Sequence, residues 1–161
     1  LEIKKLLDDF ARSLTEANAY YSDLEESIPS LTLEESKTFA KNLLAWRAAA
    51  YLPLTERIKN FLLWSKNQEL LDIAKRRLDY IKNNIARVNL TTNATVGDLL
   101  QESTVNLHYA ESSHRRARQV FVAFYSSNDA TYYLKSSLES LARAYTLFFE
   151  LGKVVSEVVP R

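Results

Sequence analysis

The chain contains no cysteine and no methionine, and only two glycines and three prolines among its 161 residues. Without cysteine there is no disulfide framework, no thiolate metal site and no cysteine nucleophile. So few glycines and prolines leave too few turn-formers for a sandwich or barrel of many short strands. No run of about 18 apolar residues occurs, which excludes a helix suited to crossing a bilayer. An excess of either charge is missing as well, since 21 Lys+Arg face 20 Asp+Glu, a formal net of +1. The opening stretch holds Glu2, Lys4, Lys5, Asp8 and Asp9, unlike the apolar core of a secretory signal. A chain that begins at Leu1 and lacks methionine is expected to be a mature or trimmed product.

What is present is helical pattern. Apolar residues make up 47% of the sequence, enough for one domain that buries roughly 70% of its unfolded surface. Ile3, Leu7, Phe10, Leu14, Ala17, Tyr21, Leu24 and Ile28 step by fours and threes, one narrow stripe on a long first helix. Pro29 ends that helix, because it lacks an amide hydrogen. Thr32-Leu-Glu-Glu35 reads as a capping box opening the second helix, which meets Pro53 and is expected to break or kink there. A long helix follows from Leu54, with Leu71, Ala74, Leu78, Ile81, Ile85 and Val88 on its apolar face.

Asn89 to Ala94 is the clearest loop, and Thr95-Val-Gly-Asp98 is the expected start of the next helix. Leu100, Leu107, His114 and Phe121 then repeat by seven, with Ser103, Ala110, Ala117 and Phe124 between them. Ser126 to Asp129 is the last turn expected, before a stripe of Leu134, Leu138, Leu141, Tyr145, Phe148, Gly152, Val155 and Val159. The reading is all-α: an up-and-down four-helix bundle with an additional N-terminal helix or a kinked second helix. It forms a single domain over residues 1–161, an acidic helix over 1–30 and the remaining bundle over 33–161.

Charge is unevenly placed. Residues 1–36 hold nine acidic and three basic side chains, residues 37–93 four acidic and eleven basic, and residues 94–161 seven of each. Such asymmetry marks either a polyanion-binding face or an acidic helix lying beside a basic one. Lys75, Arg76, Lys82 and Arg87 on one helix, and Arg115, Arg116 and Arg118 on the next, are the candidate docking residues. Lys75 and Lys82, with Arg76 or Arg87, are expected to line one exposed strip able to meet phosphates or an acidic protein surface. The alternative is a solvated face with local pairs to Asp72 and Asp79. Tyr80, Phe121 and Tyr125 accompany the clusters, but the spacing puts Phe121 in the core rather than on a base-stacking platform.

Catalytic signals are sparse. His108 and His114 are the only histidines. Glu111-Ser-Ser-His114 has the Glu-x-x-His spacing of helical di-iron bundles, but no second such motif completes the ligand set. His114 is therefore expected to be a core histidine hydrogen-bonded to a facing helix, with no metal and no cofactor. No Gly-x-Ser-x-Gly and no glycine-rich phosphate loop occurs, so the sequence reads as a non-enzyme. Asn89-Leu-Thr91 and Asn93-Ala-Thr95 match the glycosylation acceptor pattern and mark an exposed polar loop.

Two further stretches carry a family resemblance. Trp64-Ser-Lys-Asn-Gln68-Glu-Leu-Leu71, continuing through Leu78, Tyr80 and Ile85, resembles the second helix of PsbQ-type extrinsic proteins of photosystem II. Asp129-Ala-Thr-Tyr132-Tyr133, followed by Leu138, is similar to the opening of that family's last helix. The resemblance spans about residues 64–159, and the algal or diatom PsbQ-prime branch fits better than the plant one, which begins with a proline-rich arm. It implies a four-helix bundle in the thylakoid lumen, peripheral to the membrane. Such a protein docks on the photosystem II core and its other extrinsic subunits, and stabilises the oxygen-evolving complex without binding metal itself. Residues 1–30 have no counterpart in that pattern. Two alternatives compete: an all-helical small subunit of a nucleoprotein complex that contacts phosphates, and the extracytoplasmic sensor bundle of a receptor.

Overall fold

Asn89 is the only non-glycine residue with a positive φ, 56°, among the residues described by the computed structural model, 2–122 and 127–158. All regular structure among them is helical, so the chain is an all-α helical bundle protein. The elements are α1 (Glu2–Ser27), α2 (Leu33–Trp46), α3 (Leu52–Arg87), α4 (Ala94–Val122) and α5 (Ser127–Val158). They gather into two compact units, residues 1–61 and 62–161, with α3 contributing to both.

In the first unit, α1 buries Leu6, Phe10 and Ala17. Leu7 and Leu14 of the expected stripe are 47% and 44% exposed. The reason is geometric. At 100° per residue, positions 6, 10 and 17 lie within about 40° of one another, whereas 7 and 14 fall toward the rim. Pro29 sits in a short 3₁₀ turn, Ile28–Ser30, that ends α1. Thr32 then caps α2 as the sequence predicts. Its hydroxyl accepts the Glu35 N–H at 3.4 Å, and the Glu35 carboxylate accepts the Thr32 N–H at 2.8 Å.

Pro53 does not end the helix. Between α2 and α3 the chain makes a π-helical turn, Arg47–Tyr51, in which the Leu52 N–H reaches back to the Arg47 carbonyl. The wider turn re-routes hydrogen bonding around a residue that has no N–H to give. Helical backbone is therefore continuous from Leu33 to Arg87.

In the second unit, α3, α4 and α5 share one core built from Leu71, Ala74 and Leu78, Leu107 and Ala110, and Leu141, Ala144 and Phe148. Alanines at these levels let the backbones approach closely. A second cluster, Ile85, Val96 and Leu151, lies toward the α3–α4 loop. That loop begins with a Schellman motif: the Leu90 N–H bonds to the Ile85 carbonyl at 3.1 Å and the Asn89 N–H to the Ala86 carbonyl at 3.2 Å. Leu90 completes it by packing on the Ile85 cluster.

Helix α4 starts at Ala94 rather than Thr95, because the Asn93 side chain accepts the Val96 N–H at 3.1 Å and is the N-cap. Asp129, expected in a turn, lies in the first turn of α5, where a carboxylate complements the helix dipole. Position 126, Phe124, Tyr125 and Val159 lie outside the described residues. On α5, Leu147 and Leu151 are buried at 0% and 1% exposure, while Leu138 and Gly152 of the expected stripe face outward.

Candidate functional site

The basic residues separate by helical angle. On α3, Lys75 and Lys82 are seven residues apart and lie on the side that faces α4, where Lys75 Nζ meets Glu111 Oε1 at 2.5 Å. Arg76 and Arg87 are eleven apart and share a line about 120° further round the helix. The four residues thus form two rows rather than one strip. The local pairs expected with the neighbouring aspartates do not form: Asp72 accepts from Gln68 Nε2 at 2.9 Å, and Lys75 pairs across helices instead. Among the described residues Arg76, Lys82, Arg87 and Arg115 are exposed and make no ion pair.

On α4, Arg115 lines the same cavity as Lys75, with Glu111 between the helices. Arg116 turns to α5, its guanidinium 5.9 Å from the Tyr133 ring centre. Of the seven candidates, then, the structure brings Lys75 and Arg115 to one cavity and leaves the others on separate faces.

That cavity, about 190 Å³, is lined by Gln68, Leu71, Lys75, Glu111, His114 and Arg115. His114 is a core residue, 4% exposed, as the heptad spacing predicts. The expected hydrogen bond from its ring to a facing helix is not made, and neither ring nitrogen has a hydrogen-bond partner. The imidazole lies flat on the Trp64 indole instead, 5.1 Å between centres and 9° between planes. Trp64 Nε1 donates to the His114 backbone carbonyl at 3.2 Å, which holds the stack in register.

Burial pushes the His114 pKa down to about 4; Asp72 opposes this and Lys75 adds to it. The ring is neutral at pH 7, with one N–H to donate and one lone pair to accept. One layer deeper, Asn67 Nδ2 donates to Ser137 Oγ, which donates to the Ala110 carbonyl, both at 2.7 Å. Asn67 Oδ1 has no partner. No three His, Cys, Asp or Glu side chains gather into a metal site among the described residues.

A second concavity was not legible in the sequence. In the first unit, Tyr20, Tyr21, Trp46 and Tyr51 form one aromatic cluster, with Tyr20 stacked on Trp46 at 4.2 Å and Tyr51 6.0 Å from it. Tyr21 stands edge-on to both Trp46 and Tyr51. With Ser13, Glu16 and Arg57, three of these rings line a groove of about 470 Å³. Residues five apart on a regular α-helix point about 140° away from each other. Only the π-helical turn puts Trp46 and Tyr51 on the same side.

Comparison with protein-family models, with curated proteins and with solved structures finds no match to this chain.

Proposed function

We propose that this chain is a non-catalytic docking subunit whose α3 and α4 cations bind an acidic protein surface. The observation that supports this is the set of exposed cations without partners, Arg76, Lys82, Arg87 and Arg115. Other cations of the second unit have partners: Lys66 pairs with Glu69, Lys135 with Glu139 and Arg143 with Glu102, while Arg77, Arg116 and Lys153 lie over aromatic rings. Positive charge left unpaired on a nearly neutral chain is available to steer association with an acidic partner. The resemblance around Trp64 and Tyr132-Tyr133 names the luminal face of photosystem II as the first partner to test, and the thylakoid lumen as the compartment. None of the described helices is long and apolar enough to cross a membrane, which suits a peripheral role.

The test is rebinding to salt-stripped photosystem II membranes as ionic strength rises. Reversing Lys75, Arg76, Lys82 and Arg87 to Glu is expected to weaken rebinding by about 10-fold or more at low salt and to flatten its salt dependence. Unchanged rebinding removes these residues from the docking surface. Absence of rebinding by the unaltered chain, with steeply salt-dependent binding to a random oligonucleotide, transfers the same cations to phosphates and to the nucleoprotein reading.

A further inference from the structure

The groove of the first unit contains none of the docking cations. Its walls are two helical faces. Ser13, Glu16, Ala17 and Tyr20 of α1 follow the i, i+3, i+4, i+7 spacing of one face. Trp46, Ala50, Tyr51, Pro53, Leu54 and Arg57 come from the end of α2, the π-helical turn and the first turns of α3. Ala17 and Ala50 are too short to fill the space between the walls, which amounts to about 470 Å³. Small-molecule sites commonly enclose about 300–1,000 Å³.

The fold leaves the polar groups around this space unused. Ser13, Glu16, Tyr20, Trp46 and Tyr51 make no side-chain hydrogen bond or ion pair among the described residues. By contrast, Thr15 and Ser27 of the same helix donate to the carbonyls of Ala11 and Leu24. The joint that carries Tyr51 is also a π-helical turn, a rare element found frequently at functional sites. We infer that this groove binds a neutral saccharide of one or two rings.

Charge argues against the ionic classes. The lining holds one carboxylate, Glu16, and one guanidinium, Arg57, so no net charge awaits a counter-ion. An ammonium cage needs open ring faces, but Tyr20 and Trp46 stack on each other at 4.2 Å and Arg57 adds a repelling cation. Arg57 is itself engaged 5.6 Å from the Phe10 ring centre, so it is not a free receptor for a carboxylate. A hydrocarbon would strip water from Glu16 and Arg57 without replacing it.

A sugar ring avoids each of these faults. It is uncharged, and its hydroxyls donate to Glu16 and accept from Arg57. The hydroxyls of Ser13, Tyr20 and Tyr51 both donate and accept, which suits the same mixture. Its C–H patches lie against indole and phenol rings, whose bodies are apolar and whose tips are polar. The volume equals roughly sixteen waters at about 30 Å³ each, room for one hexose of about a dozen heavy atoms and part of a second.

The experiment is titration of the intact chain with glucose, galactose, mannose, N-acetylglucosamine, maltose, cellobiose and lactose, beside choline, acetate and phenylalanine. Binding is read by calorimetry and by the indole N–H resonances of Trp46 and Trp64. At least one sugar is expected to bind with Kd of about 1 mM or tighter and to move the Trp46 resonance but not that of Trp64. Choline, acetate and phenylalanine are expected to bind at least about 10-fold more weakly.

Glu16→Gln, at an exposed position without an ion pair, is expected to weaken sugar binding by about 5-fold or more while leaving the melting temperature unchanged. Ala50→Leu, also at an exposed position, is expected to fill the groove and abolish binding with helicity retained. Tighter binding of choline, acetate or phenylalanine than of every sugar overturns the class. A Trp46 resonance unmoved by all seven sugars at about 50 mM overturns the site, and so does full sugar binding by Ala50→Leu. Arg76→Glu, a docking variant in the second unit, is expected to bind the sugar unchanged, so failure of this site and failure of docking are read separately.

Discussion

At the residue scale the most informative side chain is His114. Its pKa in the folded chain, about 4, lies below the ordinary value of 6.5, chiefly because burial disfavours the charged ring. The unfolded chain therefore takes up this proton first as pH falls. Above about pH 6.5 both states are neutral and the group has no effect; between there and pH 4 it progressively destabilises the fold; below pH 4 the loss levels off. The expected loss is on the order of 3 kcal/mol. It is measured as the difference in urea-unfolding free energy between the unaltered chain and His114→Gln across that range, which cancels the common titration of carboxylates. Parallel pH profiles for the two chains would place the ring in a solvated environment.

The residue scale also shows the limit of pattern reading. Heptad spacing places His114, Ser103, Ala110 and Ala117 in the core, and all four are buried. Spacing says nothing of hydrogen bonds. The stack on Trp64 and the orphaned nitrogens depend on which residue of α3 stands opposite α4, a register set by the packing of whole helices.

At the element scale the decisive feature is the joint between α2 and α3. A proline inside a helix removes a donor and crowds the carbonyl four residues earlier, here that of Ala49. The sequence therefore announces a disturbance near Pro53 without saying whether the chain ends, bends or widens. It widens, and the aromatic groove depends on that choice. Replacing Pro53 with Ala restores the missing N–H and is expected to let Arg47–Tyr51 relax to a regular α-helical turn. Tyr51 then rotates away from Trp46, and the near-ultraviolet circular dichroism of the aromatic cluster decreases, while far-ultraviolet helicity holds or rises. An unchanged aromatic signal would mean that ring packing, and not the proline, sustains the π-helical turn.

Caps were easier to read than this joint. The Thr32–Glu35 box is visible from two residue types three positions apart, and its geometry is local. It holds the Glu35 carboxyl below its ordinary pKa through the Thr32 hydroxyl first and the Thr32 backbone second, so its support is present at neutral pH and fades in acid. The N-cap of α4 shows the reverse case. Asn93, Thr95 and Asp98 are all capable cap formers, and the Schellman turn at Asn89 decides among them by fixing where the chain re-enters a helix.

At the scale of the whole molecule, the chain distributes its apolar residues over two compact units, and the second contains the larger shared core. Leu71 is 1% exposed at the centre of that core, whereas its neighbour Leu70 is 42% exposed. Leu71→Ala is expected to cost about 2–5 kcal/mol of unfolding free energy through lost burial and a residual cavity. Leu70→Ala is expected to change it by less than about 0.5 kcal/mol. Denaturant unfolding of the two variants checks the assignment, and comparable losses would place a partner or a different packing face over Leu70.

Composition and the three-and-four spacing by themselves determined that the chain is all helical, where α1 ends, where α2 begins and where α3 ends, and which residues of α4 at the heptad positions are buried. These depend on local hydrogen bonding and on the 100° rotation per residue, both of which are written in the order of side chains. Tertiary structure alone decided that Lys75 pairs with Glu111, that Trp64 covers His114, and that Trp46 meets Tyr20 and Tyr51. Each joins residues distant in sequence or lying on opposite sides of a regular helix. Their meeting is fixed by how helices slide and rotate against one another to fill a core.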